Sequence, residues 1–442
     1  MSDATSRDIL VLGASGLIGR YLTDDLRARG FAVTGVARKF SAGQRMSARD
    51  LELPLLALAE GELARLIGDH SIDLVVNCVG VLQDGPGSDT SAVHRDFVAR
   101  LLAAIGQSGR AIRLVQISIP GAANDDRTAF SQTKREAEKL IAASGVAYAI
   151  LRPGFVVAPS AYGGSAMLRA LAALPVALPA KEGATPFQPV AVEDIAATIA
   201  FLAGRETSDK ATNALTWDLM QPEPVSLAGV IAEFRTAFGT KDWPRVRLPS
   251  ILLDLGARLG DFAASLGWMS PMRSTAIAEL RRGLTGDPIS WMQATGIVPR
   301  TIAQTIGQRP ASIQDKWFAR LFLVKALVIA SLVAFWCVSG LIALVVSYDA
   351  AAAILSTHRF PPWLVAPITI GTSLMDISIG VLIAFRRSCA IGLAAGIAAS
   401  LGYMLGAAIL TPDLWIELLG ALVKTGPAIV LMLVALLILD NR

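Results

Sequence analysis

Three glycines near the start of the chain have the spacing of a dinucleotide site. An apolar stretch at residues 9–12 runs into Gly13, Gly16 and Gly19, and the residues that follow have the pattern of a helix. Gly13 permits a sharp turn, Gly16 lets a pyrophosphate approach, and Gly19 lets the helix pack closely on the strand. Amides at such a helix start face an anion. We therefore expect the pyrophosphate of a dinucleotide to be held by Gly13, Ser15, Gly16, Leu17, Ile18 and Gly19.

The elements that must position this turn alternate between short strands and amphipathic helices. This alternation predicts parallel βαβ units and a doubly wound α/β sheet of the Rossmann type over residues 1–153. The following residues, 154–315, are richer in Pro and Gly and then helical, which predicts a small substrate-side extension. The strands are predicted at residues 9–13, 31–37, 72–80, 112–118 and 147–154.

The C-terminal part of the chain is far more apolar than the rest. Of the 442 residues, 53% are hydrophobic, and beyond Arg320 four apolar stretches have the ~20 residues that a bilayer-spanning helix needs. We expect an all-α bundle of four transmembrane helices over residues 316–442. The stretches are residues 326–346, 364–385, 389–410 and 418–439.

Charges at the ends of these stretches predict the orientation of the bundle. Basic residues dominate one side, and acidic residues dominate the other. Because basic residues remain in the cytoplasm, we expect a multi-pass protein of the inner (cytoplasmic) membrane with its N-terminal domain and C-terminus cytoplasmic. The basic side holds Lys316, Arg320, Lys325, Arg386, Arg387 and Arg442, and the other side holds Asp349, Arg359, Asp413 and Glu417.

The overall charge and the wide spacing of Cys and His argue against a nucleic-acid-binding protein and against a metalloprotein. A net charge of +4 needs no nucleic-acid partner, because basic residues are expected beside membrane spans. A lipid membrane is the expected partner, with membrane proteins as further candidates. The 3 Cys and 3 His are widely spaced, so we expect no metal site. The N-terminus lacks a positively charged segment followed by an apolar one, so no signal peptide is expected.

Seven motifs over residues 8–305 resemble the short-chain dehydrogenase/reductase superfamily, in its extended, atypical branch. Their order and spacing along the chain support the resemblance. The motifs are GASGLIG at 13–19, VVNCVG at 75–80, VQISIPGA at 115–122, SQTKREAE at 131–138, LRPGFV at 151–156, FQPVAVEDIA at 187–196 and GIVPRT at 296–301. The C-terminal part is similar to the four-span bundle of DoxX-like proteins in the number and position of its spans.

The resemblance implies further cofactor contacts. Arg38 and Lys39 follow the second strand, where NAD-preferring members offer a carboxylate to the adenosine ribose. Two cationic donors there can pair with a 2′-phosphate, which favours NADP(H) over NAD(H); the alternative is a solvated loop pair. By the same resemblance Asp50 contacts the adenine. Further cofactor contacts are implied at Cys78, Val79, Gly80, Lys134 and Pro153.

The catalytic set departs from the superfamily at one position. Members that reduce or oxidise carbonyls carry Tyr-x-x-x-Lys on a helix and a Ser or Thr that polarises the carbonyl. Ser118 and Lys134 match the hydroxyl and the lysine, but Phe130 stands where the tyrosine is expected. A phenyl ring exchanges no proton, so we expect ordinary carbonyl reduction to be abolished or strongly weakened while Lys134 still holds the ribose. His94, on a predicted helix, is a candidate acid or base, with a structural role as the alternative.

Two charged residues fall within the apolar stretches. A charge at that depth costs ~2.5–3.5 kcal/mol on insertion scales. A partner or a polar cavity is therefore expected for Asp376 and Lys424, and two alternatives are open: they pair with each other, or Lys424 extends to an interface and Asp376 is a protonated packing residue.

Three functions are compatible with these residues. The first is a membrane-anchored, NADP(H)-binding, oxidoreductase-like protein for a hydrophobic or membrane-borne small molecule, with the amphipathic helix of residues 250–269 at the membrane surface. The second is an NADPH-binding structural or sensor protein without turnover, similar to the accessory subunit of respiratory complex I, which belongs to the same branch and also lacks the tyrosine. The third is a nucleotide-sugar epimerase or dehydratase, which needs the same tyrosine.

Overall fold

Two compact units make up the chain in the computed structural model, which describes residues 7–41, 44, 47–85, 88–206, 213–416 and 420–439. The first unit comprises the residues up to Asp261 together with Pro271–Ala319, and the second comprises Phe262–Ser270 together with the residues from Arg320 onward. Glu417, Leu418 and Arg442, which figure in the predicted spans and their orientation, lie outside the described residues.

A seven-stranded parallel sheet is the frame of the first unit. The strands are β1 (Asp8–Leu12), β2 (Ala32–Ala37), β3 (Leu51–Glu52), β4 (Leu74–Asn77), β5 (Arg113–Ile117), β6 (Ala147–Pro153), β7 (Phe155–Val157), β8 (Val176–Ala177), β9 (Pro186–Phe187), β10 (Pro189–Ala191), β11 (Ala214–Leu219), β12 (Val225–Ser226) and β13 (Val246–Arg247). The strand order is β11-β6-β5-β4-β1-β2-β3. The chain reverses direction across the sheet between β1 and β4, and the carboxyl ends of such strands form the ligand crevice of doubly wound folds.

Helices cover both faces of this sheet. They are α1 (Leu17–Ala28), α2 (Glu60–Asp69), α3 (Phe97–Gln107), α4 (Ala129–Ala143), α5 (Gly163–Ala173), α6 (Ala180–Gly183), α7 (Val192–Ala203), α8 (Leu227–Phe238), α9 (Ser250–Ser265), α10 (Ser274–Arg282), α11 (Ile289–Thr295) and α12 (Ile302–Gly307). One core cluster joins β1 to apolar residues of α1 and α7, and another joins the other face to α2, α3 and α4. Because both faces are buried, the central strands are runs of Ile, Val and Leu. The predicted doubly wound fold is confirmed.

The sheet contains more than the five predicted strands. β11 pairs in parallel with β6, and the two-residue β3 pairs with β2. β11 comes from residues 154–315, the predicted extension, which lies in the same compact unit as the Rossmann residues except for Phe262–Ser270. The extension therefore completes the sheet as well as adding helices beyond it.

The second unit is helical and apolar. Its helices are α13 (Ile313–Leu341, continued by a π-helical turn to Val346), α14 (Tyr348–Thr357), α15 (Pro362–Ala384), α16 (Cys389–Leu410) and α17 (Ala421–Leu437). Three helical segments are long and apolar enough to cross a membrane, and a further apolar helix, Leu422–Leu437, is shorter. Four spans were predicted; among the described residues three reach full length, and α14 is an additional short helix after the first.

Candidate dinucleotide site

The turn between β1 and α1 is built as a close backbone contact. Gly13 has φ +81°, a conformation that L side chains rarely adopt. A Cβ atom at Gly13 would lie 3.1 Å from the backbone of Cys78 and Val79. A Cβ atom at Gly19 would overlap the Gly13 carbonyl. The glycines thus let α1 begin directly against the carboxyl ends of β1 and β4.

The start of α1 presents free amides to this edge. Gly13 and Ala14 both donate to the Val36 carbonyl, at 2.8 and 3.0 Å, which ties the turn to β2. The first helical bond runs from the Arg20 amide to the Gly16 carbonyl at 2.9 Å. The amides of Leu17, Ile18 and Gly19 precede that bond and are directed out of the helix end, where the helix dipole favours an anion. These residues fit a dinucleotide pyrophosphate.

The residues predicted around the adenosine differ in their surroundings. Arg38 and Lys39 are both exposed just beyond β2. Asp50 is buried instead, and its carboxylate pairs with the Arg27 guanidinium at 2.6 Å and accepts from the Ser47 amide at 2.7 Å. The Asp50 carboxylate therefore fastens α1 to the loop before β3, and its predicted contact with adenine stays a prediction.

The carboxyl end of β4 forms the floor of the crevice. Asn77 is fully buried and donates to the Gln116 side chain on β5 at 2.8 Å, while its oxygen accepts from the Val79 amide at 3.1 Å. Burial raises the pKa of Cys78 to about 12, although the nearby Lys134 charge lowers it. The Cys78 thiol is therefore neutral at physiological pH and lines the crevice without acting as a nucleophile.

Lys134 reaches from α4 to the same place. It is buried, and its Nζ donates to the Ile117 carbonyl at the end of β5 at 2.9 Å. A Cβ atom at Gly80 would lie 3.4 Å from this Nζ. Burial lowers the pKa of Lys134 to about 8, opposed by the charges of Cys78 and Glu138. An ammonium has three N–H donors, so Lys134 retains donors for a ribose hydroxyl.

Phe130, which the sequence resemblance aligns with the superfamily's tyrosine, packs against His94. Its ring meets the His94 ring edge-on, with centroids 5.6 Å apart. His94 Nε2 accepts from the Val81 amide at 3.2 Å, and Nδ1 bonds the Thr133 hydroxyl at 2.8 Å. Burial, with the Lys134 charge, lowers the pKa of His94 to about 3. His94 is therefore a neutral, doubly bonded residue that joins the β4 loop to α4, which supports its structural role.

Ser118 faces a carboxylate held by arginine. Arg152 on β6 donates to both oxygens of Glu138 on α4, at 2.6 and 2.9 Å. Burial raises the pKa of Glu138, but the hydrogen bonds from Arg152, with the charges of Arg152 and Arg135, outweigh burial and hold this pKa below its ordinary value. The hydroxyl of the buried Ser118 has no hydrogen-bond partner among the described residues, so it remains available to a ligand at this edge of the sheet.

The Glu138 pair extends into a larger buried ion cluster. Arg135 bonds Glu138 at 3.2 Å and Asp126 at 2.9 Å. Asp126 also pairs with Arg282 of α10 at 2.7 Å, and Arg282 pairs with Glu279 at 3.1 Å. This cluster was not predicted, although Glu138 and Arg152 lie inside two of the quoted motifs, because its members come from α4 and the residues before it, from β6 and from α10, which are separated along the chain.

A cavity of about 670 Å³ opens beside the N-terminus of α4. Residues before α4 line one part of it, and residues of α9 and α10 line the rest. Its charged lining residues are Asp125, Arg127, Asp254, Arg258, Glu279, Arg281 and Arg282.

The helical unit has two distinguishable ends. The Leu439 carbonyl accepts from Lys325 at 2.8 Å and from Arg386 at 3.2 Å, so the predicted basic side is one end. At the other, His358 bonds Asp413 at 2.7 Å. Of the two alternatives for Asp376 and Lys424, an ion pair between them is not formed in the described part of the chain.

Asp376 instead accepts from the Tyr403 hydroxyl of α16 at 2.7 Å, and Lys424 is exposed. A tyrosine one helix away satisfies the carboxyl without a second charge, which the sequence pattern of single helices does not reveal.

Two family models match separate parts of the chain. Residues 9–175 match the NAD dependent epimerase/dehydratase family, and residues 333–433 match the DoxX-like family. The chain thus carries an epimerase-like Rossmann domain of the short-chain dehydrogenase/reductase type, followed by a DoxX-like membrane domain. Both predicted resemblances are confirmed. No match is found among curated proteins.

Several solved structures share the fold of the N-terminal part. MoeE5, in complex with UDP-glucose and NAD, is 20% identical with a TM-score of 0.51, over 72% of this chain and 99% of that one. UDP-glucuronic acid 4-epimerase from Bacillus cereus, with UDP-glucuronic acid and NAD, is 15% identical with a TM-score of 0.52, over 71% and 99%. The Bordetella bronchiseptica enzyme WbmH, with NAD+, is 14% identical with a TM-score of 0.51, over 71% and 98%.

Proposed function

We propose that this protein is a membrane-anchored NADP(H)-binding protein that lacks the tyrosine-dependent proton transfer of its superfamily. Phe130 is the observation that carries the proposal: it occupies the position of the acid and packs on His94, which is itself locked and neutral. The glycine turn and Lys134 support retention of the cofactor. We further propose that the protein lies in the inner membrane with its N-terminal domain and C-terminus in the cytoplasm.

The roles of individual residues follow from the site. The amides of Leu17, Ile18 and Gly19 would hold the pyrophosphate, and Arg38 with Lys39 would pair with a 2′-phosphate. Lys134 would bond the nicotinamide ribose. Bound NADPH would supply a hydride, and a carbonyl that accepted it would also need a proton. The position that provides this proton in the superfamily holds a phenyl ring, so the site favours binding over turnover.

A second candidate is an oxidoreductase for a membrane-borne substrate. The cavity of about 670 Å³ beside the N-terminus of α4 favours it, because a purely structural cofactor domain needs no such space. In that case the proton would come from solvent or from the substrate. Nucleotide-sugar epimerase or dehydratase chemistry, suggested by the relatives solved with UDP-sugars, is a third candidate. It needs the same tyrosine, so Phe130 counts against it too.

One experiment separates the first two candidates. The purified full-length protein is incubated with NADPH and a membrane lipid extract, while cofactor fluorescence and reduced-nicotinamide absorbance are followed together. The proposal predicts a fluorescence change with constant absorbance. Loss of absorbance with the lipid extract would establish the oxidoreductase, and the absence of any fluorescence change would refute cofactor binding.

A further inference from the structure

The lining of the cavity beside α4 contains four arginines and three carboxylates. Arg281 is held by Glu182 and Asp254, each at 2.8 Å. Arg282 is held by Asp126 and Glu279, as described above. Two further arginines of the lining remain, and neither forms an ion pair within the described part of the chain.

Arg127 and Arg258 are those arginines, and both are exposed to the cavity solvent. Asp125 is the one lining acid, among the described residues, that also forms no ion pair there. Arg127 and Arg258 are therefore two guanidinium groups in the cavity that are free to donate to a ligand, and an anion is the ligand that accepts most strongly from them.

Helix α9 forms one wall of this cavity and has an unusual outer face. Asp254, Ala257 and Arg258 line the cavity. Along its exposed side two neighbouring apolar residues are followed by two more at spacings of three or four residues, about one helical turn. They are Ile251, Leu252, Leu255 and Leu259, with exposed fractions between 47% and 72%.

The continuation of α9 is fixed within the membrane unit. Residues Phe262–Ser270 belong to that unit. The Trp268 indole donates to the Ala384 carbonyl at 2.7 Å, at the last residue of the apolar helix α15. The Arg386 amide donates to the Leu266 carbonyl at 3.0 Å. The chain that leaves α9 is thus anchored at the end of a membrane span, on the basic side.

We propose that this cavity binds the anionic headgroup of a membrane lipid, whose hydrocarbon chain lies along the exposed leucine face of α9. A soluble anion would leave that apolar face in water, whereas an amphiphile covers both the charge and the apolar surface. The proposal rests on the membrane-borne ligand of the second candidate function and names its chemistry.

Photolabelling of the full-length protein in phosphatidylcholine nanodiscs tests the proposal. The probe is a phosphatidic acid that carries a diazirine in its acyl chain. The neutral comparison is a diacylglycerol with the same chain, and inorganic phosphate is the soluble competitor. We expect saturable labelling of α9 by phosphatidic acid, weak labelling by diacylglycerol, and little displacement by phosphate.

Two pairs of variants locate the site. Replacing both Arg127→Gln and Arg258→Gln should raise the half-saturating phosphatidic acid fraction roughly tenfold, as expected for the loss of charge-assisted hydrogen bonds. Lys139→Gln, an exposed charge of α4 outside the cavity lining, should change nothing. Leu255→Ser with Leu259→Ser should weaken labelling, whereas Val298→Ser, at a site 80% exposed, should not.

Several results would overturn the proposal. Equal labelling by diacylglycerol would remove the anionic specificity, and displacement by phosphate at concentrations equal to those of the probe would assign the cavity to a soluble anion. Cross-links from α9 to a second copy of the chain would assign its apolar face to self-association. Titration of the same nanodiscs with NADPH, followed by cofactor fluorescence, tests the proposed cofactor binding separately. The lipid proposal and the cofactor proposal can therefore fail independently.

Discussion

The turn after β1 and the first turn of α4 lie at the same edge of the sheet, but they differ in how closely they resemble the superfamily. The first has the glycine motif, and the second has the lysine without the tyrosine. At the first, Gly13 and Gly19 leave no room for a side chain, and the helix start offers its amides to a phosphate. At the second, the proton-transferring position is an aromatic ring. Beneath it the inner face of α4 holds Glu138 and Arg135 in a buried ion cluster. We therefore propose that binding and chemistry are separable within one Rossmann edge, because each depends on its own local contacts.

The ion cluster gives the largest expected effect. Glu138→Gln leaves Arg135 and Arg152 without their shared carboxylate, and breaking a buried pair costs about 3–5 kcal/mol of unfolding free energy. Glu136→Gln is the matched control, because Glu136 is exposed and lies 4.0 Å from its partner Arg95; it should change stability by less than about 0.5 kcal/mol. Denaturation of the full chain in detergent measures both. A small loss for Glu138→Gln would show that the α4 face is not held by this cluster.

Acid should weaken the same cluster. The pKa of Glu138 lies below its ordinary value, so its stabilising contribution is present above that ordinary value and is lost as pH falls through the lowered one. The midpoint of acid denaturation should therefore differ between wild type and Glu138→Gln. Identical acid profiles would contradict this.

The glycine turn should give the next largest effect. Gly19→Ala places a Cβ atom against the Gly13 carbonyl, and such overpacking costs about 1–3 kcal/mol. If that strain falls on the bound conformation, the Kd for NADPH rises roughly 5- to 150-fold. Gly61→Ala, at a helical glycine with open space around it, should leave the Kd unchanged. Equal affinities of Gly19→Ala and wild type for NADPH would show that this turn does not bind the cofactor.

Cofactor preference should respond to Arg38 by about tenfold. Arg38→Ala removes one donor to a 2′-phosphate, so the ratio of NADPH to NADH affinity should fall by roughly that factor, or about 1.4 kcal/mol. Arg29→Ala, another exposed arginine of the unit, is the control. An unchanged ratio of NADPH to NADH affinity in Arg38→Ala would contradict the predicted preference for NADP(H).

Lys134 predicts a smaller, pH-dependent effect. Its pKa of about 8 means that the ammonium loses its charge as pH rises through that value, so the affinity for NADPH should fall roughly three- to tenfold between pH 7 and 9. Lys134→Met should bind more weakly and with a flatter profile. Because the folded pKa lies below the ordinary 10.5, the free energy of unfolding should rise between about pH 8 and 10.5. An affinity independent of pH would exclude Lys134 from the contact.

Local patterns made part of this structure predictable. The five buried strands are runs of β-branched residues, and the glycine turn is a contiguous motif, so both could be inferred from neighbouring positions. β11 was missed because it is an edge strand whose exposed and buried residues alternate, and β3 because it is only 2 residues long.

Contacts between distant residues were not predictable in the same way. The bond of Asp376 to Tyr403 and the cluster of Asp126, Glu138 and Arg152 depend on which elements become neighbours. The sequence marks such charges as costly to bury but does not name their partners.

The most direct test of the separation between binding and chemistry is NADPH consumption by Phe130→Tyr and Phe130→Leu. We expect wild type and both variants to bind NADPH with similar Kd. With a membrane lipid extract, only Phe130→Tyr should consume NADPH, at least about 100-fold faster than wild type, the usual contribution of a positioned general acid. Adding Ser118→Ala should abolish the gain. Consumption by wild type at a rate equal to that of Phe130→Tyr would contradict the account.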